Sequence, residues 1–260
     1  MKRSPGVRTC ALAVGGVLSL ALITGCSDGS STDTSGTARE ASAVKALNTG
    51  ELKQRILAQG EVDGYKVNAV GEAAPTRKTI RSSDEKCRPL AYVLTGLAPA
   101  DPASEIGRTV REEKKDPTDD ATSLDDMADG KFESALKDSL DLDVTSLDLS
   151  SYDGDGAQQA LRAVSAALKE CAAGFTGGTS ADAQKVTEVT PTKASGSGDE
   201  SIAFTATTDV DGDKGPLHAE VVRYGNTVAT YFTMNIGAMM TGKTYTVPPA
   251  VINAQSTKLK

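Results

Sequence analysis

One histidine, His218, occurs in 260 residues, so any acyl-transfer machinery built on a hydroxyl and an imidazole must use it. No Gly-x-Ser-x-Gly elbow precedes it, and no acid is identifiable as the partner that would orient its ring. A lone strand histidine is more often structural, which leaves a hydrolase using His218 as a lesser reading. The second constellation is Asp209-Val210-Asp211-Gly212-Asp213-Lys214, with Glu220 in twelfth place. Acids at positions one, three and five with a glutamate at twelve match the ligand spacing of a calcium loop. Lys214, however, stands at the sixth position, where the sharp turn wants glycine, and strand-like sequence flanks the segment. An Asp/Gly-rich hairpin turn is the better reading there, and for Asp153–Gly156 as well. No HExxH, P-loop or dinucleotide glycine pattern is present. Paired carboxylates are plentiful in so acidic a chain and single out no site. Catalytic, cofactor-binding and metal-binding residues are therefore assigned as none.

The clearest chemistry lies at the start of the chain. Lys2, Arg3 and Arg8 form a basic opening, Ala11 to Ile23 an apolar run, and Thr24-Gly25 a pair of small residues before Cys26. That order is a secretory leader, and the apolar run falls short of the about 20 residues that span a bilayer. Leu22-Ile23-Thr24-Gly25-Cys26 resembles the lipobox of bacterial lipoprotein signal peptides. The resemblance implies diacylglycerol on the Cys26 sulfur, cleavage before it, and acylation, for instance by palmitate, of the new amine. Two or more chains on one residue give stable anchoring. Residues 1–25 are then the signal peptide. Residues 26–43 form a Gly/Ser/Thr-rich tether with too little apolar surface to order itself. The alternative is an ordinary leader cut elsewhere, with Cys26 a stray thiol.

Residues 44–260 suit one domain. The net charge is −7, and losing Lys2, Arg3 and Arg8 makes it −10. So acidic a protein is repelled by nucleic acid and by anionic headgroups, so nucleic acid is not an expected partner. Aromatic residues make up 4% of the chain with no Trp, which leaves little to stack on sugars or bases. With Cys10 in the leader and Cys26 acylated, Cys87 and Cys171 remain as an even pair in an oxidising compartment. A disulfide is the expected outcome, two buried free thiols the alternative. A zinc site needs four ligands, and no CxxC or nearby His supplies them.

The elements that position these residues read as follows. Residues 49–59 form a helix capped by Thr49, with Leu52 and Ile56 one turn apart and Gly60 stopping it. Tyr65, Val67 and Ala69 alternate as a strand, with Lys78–Arg81 as its hairpin return. Pro89 opens a short helix over Leu90, Val93 and Leu94, ended by Thr95-Gly96. Ile106–Glu113 is a strand, Glu112–Asp129 a solvated acidic loop broken by Pro117, and Phe132, Ala135, Leu136 and Leu140 share a helix face. Val144, Leu147 and Leu149 lead into a further strand. Leu161, Val164, Leu168, Cys171 and Phe175 form a stripe at helical spacing, ended by Gly174, Gly177 and Gly178. Lys185–Thr190, Glu200–Thr208, Leu217–Tyr224 and Thr227–Met234 form a β-meander. Gly225-Asn226 is a two-residue turn that pairs Tyr224 with Thr227, Val222 with Ala229, Glu220 with Tyr231 and His218 with Thr233. The face carrying Leu217, Ala219, Val221, Val228, Phe232 and Met234 is then the core side. The face with His218, Glu220, Tyr224 and Tyr231 is solvated or lines a cleft. Pro248-Pro249 opens a final helix with Val251, Ile252 and Leu259. The sum is an α+β fold, a twisted antiparallel sheet with helices packed on it.

This organisation resembles a group of actinobacterial exported lipoproteins. Their folded part is similar to the PknH-like extracellular sensor domain of receptor kinases and, more loosely, to Mog1/PsbP-like lipoproteins. The matching pieces are the Leu161–Phe175 helix with Cys171, the Val221–Val228 hairpin, and the Pro-Pro helix ending near Gln255 and Lys258. The resemblance implies a twisted antiparallel sheet, flanking helices and a ligand cleft. The sensor domains are held by two disulfides, whereas one pair is available here, and no ligand-binding residue carries over. The expected function is a non-enzymatic ligand-binding or sensor-like module. It is lipid-anchored through Cys26 on the extracellular face of the cell membrane and binds an unknown small-molecule or protein ligand. The alternatives are a carrier of lipid or other apolar ligands, with Met239-Met240 in a flexible apolar mouth, and the His218 hydrolase.

Overall fold

In the computed structural model the described residues are 44–114, 139–181, 183–210 and 213–260. Cys26 and the leader lie outside them, as do most of the acidic stretch and the Phe132, Ala135 and Leu136 positions of the expected helix. The first helix, α1 (Thr49–Arg55), begins one residue earlier than Thr49 would place it. Asn48 is the cap, its side chain accepting from the Glu51 N–H while Glu51 accepts from the Asn48 N–H. That reciprocal box satisfies two orphan donors at once, which Thr49 inside the first turn cannot do. The helix also ends early, at Ile56, whose backbone is extended.

Strands β1 (Tyr65–Ala69), β2 (Ile80–Ser82), β3 (Ser104–Glu112), β4 (Val144–Ser151), β5 (Phe175–Thr179), β6 (Ala183–Thr192), β7 (Glu200–Val210), β8 (Asp213–Tyr224) and β9 (Thr227–Met234) make one nine-stranded sheet. Its order is β1-β3-β4-β9-β8-β7-β6-β5-β2, with every neighbouring pair antiparallel. The expected α+β architecture holds. The β8–β9 register is the one set by Gly225-Asn226, with His218 opposite Thr233 and Glu220 opposite Tyr231. Gly225 adopts φ +60, as the tight hairpin turn requires.

The expected hairpin between Tyr65–Ala69 and Lys78–Arg81 does not form. β1 pairs with β3 at one edge, while β2 pairs with β5 at the other. The ten-residue connection holds no two-residue turn to force local pairing, and it crosses the sheet instead.

Helix α2 (Arg88–Val93) follows a short 3-10 turn at Glu85–Cys87, with Pro in its first turn as expected. Helix α3 (Gly156–Glu170) carries the Leu161, Val164 and Leu168 stripe but stops at Cys171, its C-cap. Phe175 belongs to β5 rather than to the helix. The apolar spacing carries on past the helix because β5 points Phe175 into the same core. Gly174 makes the reversal: at φ +93, a Cβ there would lie 2.2 Å from the Val186 carbonyl oxygen. Gly177 and Gly178, read from the sequence as helix terminators, sit inside β5.

Both faces of the sheet are covered, by different helices. On one face, α2 and α3 bury Leu90, Val93, Leu161, Val164 and Leu168 against Phe204, Leu217, Ala219, Val221 and Val228. On the other, α1 and α5 (Pro249–Leu259) bury Leu52, Ile56, Val251 and Ile252 against Val67, Val110, Leu147, Leu149, Val222, Ala229 and Tyr231. The His218–Tyr231 face is therefore largely interior. Tyr231 and Val222 are fully buried and Glu220 is 4% exposed. The short helix α4 (Ile236–Thr241) follows β9, with Met239 packed against the first core and Met240 exposed.

Cys87 and Cys171 form a disulfide, with Cα atoms 5.8 Å apart and both residues buried. It fastens the start of α2 to the end of α3. Across the second core, Gln255 plays the same part with hydrogen bonds. Its Oε1 accepts from the Leu57 N–H at 3.0 Å and its Nε2 donates to the Arg55 carbonyl at 2.8 Å. The Arg55 carbonyl ends α1 and the Leu57 N–H lies just past its C-cap, both without helical partners, and Gln255 is fully buried. Gln255→Ala is expected to lower stability by about 1–3 kcal/mol, the cost of an unsatisfied buried donor. A urea midpoint unchanged from wild type would show that water replaces the bridge.

Candidate functional site

Among the described residues, clefts open on both faces of the sheet. The first, about 560 Å³, lies between β7–β8, the 192–195 segment and the start of α5, and contains His218 and Glu220. His218 Nδ1 shares a 3.1 Å hydrogen bond with Thr205 Oγ1, its cross-strand neighbour, and the Tyr245 ring meets the imidazole edge-on at 4.5 Å. Burial lowers the His218 pKa, so the ring is neutral at pH 7. Among the described residues no carboxylate bonds the imidazole. Glu220, two residues along the same face, accepts from the Ser195 N–H at 2.9 Å and from the Ser195 hydroxyl. The hydroxyl–imidazole pair thus lacks the orienting acid that triad chemistry uses.

The same contacts separate Glu220 from the Asp209–Lys214 segment. The β7–β8 ladder continues to the Asp209–Lys214 and Val210–Asp213 pairs, a hairpin end, while Glu220 is engaged with Ser195. Asp211 and Gly212 lie outside the described residues. Among the described residues no group of three or more His, Cys, Asp or Glu side chains is placed to hold a metal ion, and no helix is long and apolar enough to cross a membrane.

The second cleft, about 680 Å³, lies on the α2–α3 face, between the β1–β2 connection, the end of α2 and the β3–β4 pair. Its wall contains Glu105 and Asp148. The registers put Glu105 beside Ser150, Gly107 beside Asp148, and Asp148 beside Thr230, all on one face. Asp148 is 3% exposed and Thr230 fully buried. Asp148 Oδ1, Glu105 Oε2 and Thr230 Oγ1 find no hydrogen-bond partner among the described residues. Buried polar atoms are nearly always paired, so three orphans in one neighbourhood stand out. Desolvation first, then the charge of Glu105, pushes the Asp148 carboxyl well above the usual range, against the lowering effects of Ser150 and Arg77. Burial raises Glu105 too. Arg77 is engaged on its own side, 3.4 Å from Asp101, bonded to the Ala98 carbonyl and stacked 4.0 Å above the Tyr92 ring.

Gly96 makes the cleft possible. It has φ +74, and a Cβ there would stand 2.5 Å from Ser146 Cβ, so the end of α2 can lie directly on the sheet. Next to this cleft is an apolar pocket of about 270 Å³ lined by Leu94, Phe175, Leu217, Phe232 and Met234. Pro75, Thr95 and Ser146 line both, so the two adjoin. Small-molecule sites measure about 300–1,000 Å³ and are mostly apolar with a few placed polar groups, and the combined space meets that description.

The sequence does not single out Asp148. In Ser146-Leu147-Asp148-Leu149-Ser150 the alternation reads as a solvated polar face, yet that face lies under the α2–β3 connection. The pairing of Asp148 with Thr230 and of Ser146 with Phe232 is the missing information, and it is non-local.

Asp148 has a testable consequence for stability. Its folded-state pKa exceeds the unfolded value near 4, so the folded protein binds more protons between the two, and stability falls as pH rises through that interval. Asp148→Asn is expected to flatten that decline and to raise stability above it, by about 1.4 kcal/mol for each unit of elevation. Parallel urea curves for wild type and variant across pH 4–9 would contradict the burial of an ionisable group here.

No protein-family model matches the chain, and no curated protein does. Among solved structures it is similar to the extracellular domain of PknH from Mycobacterium tuberculosis, at a TM-score of 0.46 and 11% identity, over 83% of this chain and 96% of that one. Nothing about ligand or partner follows from a likeness at that level.

Proposed function

We propose that the protein is a non-enzymatic ligand-binding, sensor-like module displayed outside the cell and held to the membrane by acyl chains on Cys26. Two independent cysteine features support export: a leader ending in Leu22–Cys26, and the buried Cys87–Cys171 disulfide of the folded part. The disulfide is the observation that carries the reading, since it belongs to an oxidising compartment whatever is made of the leader. The Asp148 cleft, of ligand size with unpaired buried oxygens in its wall, supports binding as the activity.

Mass spectrometry of the native protein tests the anchor. The expected N-terminal peptide starts at acylated Cys26, and Cys26→Ser releases the protein from the membrane. An unmodified Cys26 or a retained leader would refute the anchor. Protease added to intact cells is expected to remove the folded part.

The apolar pocket beside Phe232 and Met234 favours a second reading, a carrier of lipid or other apolar ligands. Solvent extraction separates the two: co-purified acyl chains point to the carrier, a clean extract to the sensor. His218→Ala is expected to leave biological function intact, because the imidazole has no orienting acid among the described residues; loss of function with retained folding would return the hydrolase to consideration.

A further inference from the structure

We propose that the Asp148 cleft seats a primary ammonium group on a short apolar tail, with the ammonium at the Asp148 and Glu105 carboxyls and the tail beside Phe232 and Met234. This rests on the ligand-binding reading above and names the ligand class. Two carboxyl oxygens of the wall, Asp148 Oδ1 and Glu105 Oε2, are buried and unpartnered among the described residues, and the unpartnered Thr230 hydroxyl lies behind them, across the ladder from Asp148. What such a set lacks is a donor-rich group, and an ammonium carries three N–H donors and the complementary charge. The protein's own nearby cations do not fill the role: Arg77 is held by Asp101, the Ala98 carbonyl and the Tyr92 ring, and Arg108 donates to the Leu57 and Gly107 carbonyls. The adjoining pocket is lined mostly by apolar side chains and shares Pro75, Thr95 and Ser146 with the acidic cleft, which sets the head-to-tail order.

Binding then couples to a proton. The charged and titratable groups around Asp148 among the described residues are Glu105 and Arg108 on β3, Arg77 and Glu72 on the β1–β2 connection, Asp101 beyond α2, and Tyr152 at the end of its own strand. The acids and the burial favour a protonated Asp148 in the free cleft. An incoming ammonium favours the carboxylate, so the Asp148 proton leaves to solvent as the ligand enters. Affinity is expected to rise as pH rises through the elevated Asp148 titration, so long as the alkylamine stays charged.

The test titrates the acylated full-length product in nanodiscs with hexylamine, hexanol and hexanoate, using empty nanodiscs as blank. The expected result is at least tenfold tighter binding of hexylamine than of the other two, strengthening as pH is raised stepwise from 4 to 8, with proton uptake by the buffer. Asp148→Asn, and independently Glu105→Gln, should remove that preference. Equal affinity for all three probes, or a preference that survives both substitutions, would overturn the ammonium assignment and leave a binding cleft of other specificity. Binding of none of them would overturn it as well, while the anchor and surface display stand or fall by the mass of the Cys26 peptide and the protease assay.

Discussion

Replacing Cys87 and Cys171 together by serine is expected to lower the unfolding free energy by about 2–5 kcal/mol, the usual range for losing a native disulfide. The bridge closes a loop of 84 residues that contains α2, β3, β4 and α3. The chain-entropy model gives about 4–5 kcal/mol for constraining an unfolded loop of that length. The folded state adds a local term, because the bridge connects the start of α2 to the end of α3 over one core, and both sulfurs are buried. The exposed Lys86–Glu170 ion pair at 3.1 Å spans the same two elements but is worth far less in water. Urea unfolding with and without reductant is the measurement. Reduced wild type should match the double serine variant, and an unchanged midpoint under full reduction would show that packing alone holds α2 on α3.

Tyr231→Ala is expected to cost about 3–5 kcal/mol, the range for deleting a large buried aromatic side chain. Were its face solvated, the loss would stay within about 0.5 kcal/mol. Tyr231 is fully buried at the centre of the core that α1 and α5 build on the sheet, among Leu147, Leu149, Val222 and Ala229. Its hydroxyl has no hydrogen-bond partner among the described residues, so Tyr231→Phe should be neutral or stabilising. The two substitutions together separate the contribution of the ring from the cost of its buried oxygen. Equal small effects would mean that this face does not form a second core.

Several features were legible in the residues. Gly225-Asn226 fixed the β8–β9 register to the residue, because a two-residue turn leaves no freedom in how its strands align. Pro89 and Gly96 bounded α2, and Leu161, Val164 and Leu168 marked α3. The errors have different causes. Asn48 displaced Thr49 as cap through a reciprocal bond with Glu51 three residues on, a local signal present in the sequence. Phe175 left the α3 stripe for β5, where it pairs with Val186 and keeps its place in the core, a placement settled by a partner outside the local window.

By itself the sequence determined local geometry: turns, strand alternation, helix stripes, and which two cysteines remained to pair in the folded part. Those follow from φ preferences and side-chain period, which act over a few residues. Tertiary structure alone decided that β1 and β2 occupy opposite edges, that both faces of the sheet are covered, and that Asp148 lies beneath α2 instead of in water. Long-range pairing governs burial, and burial in turn governs whether a carboxyl is an ordinary surface charge or an unsatisfied group in a cleft wall.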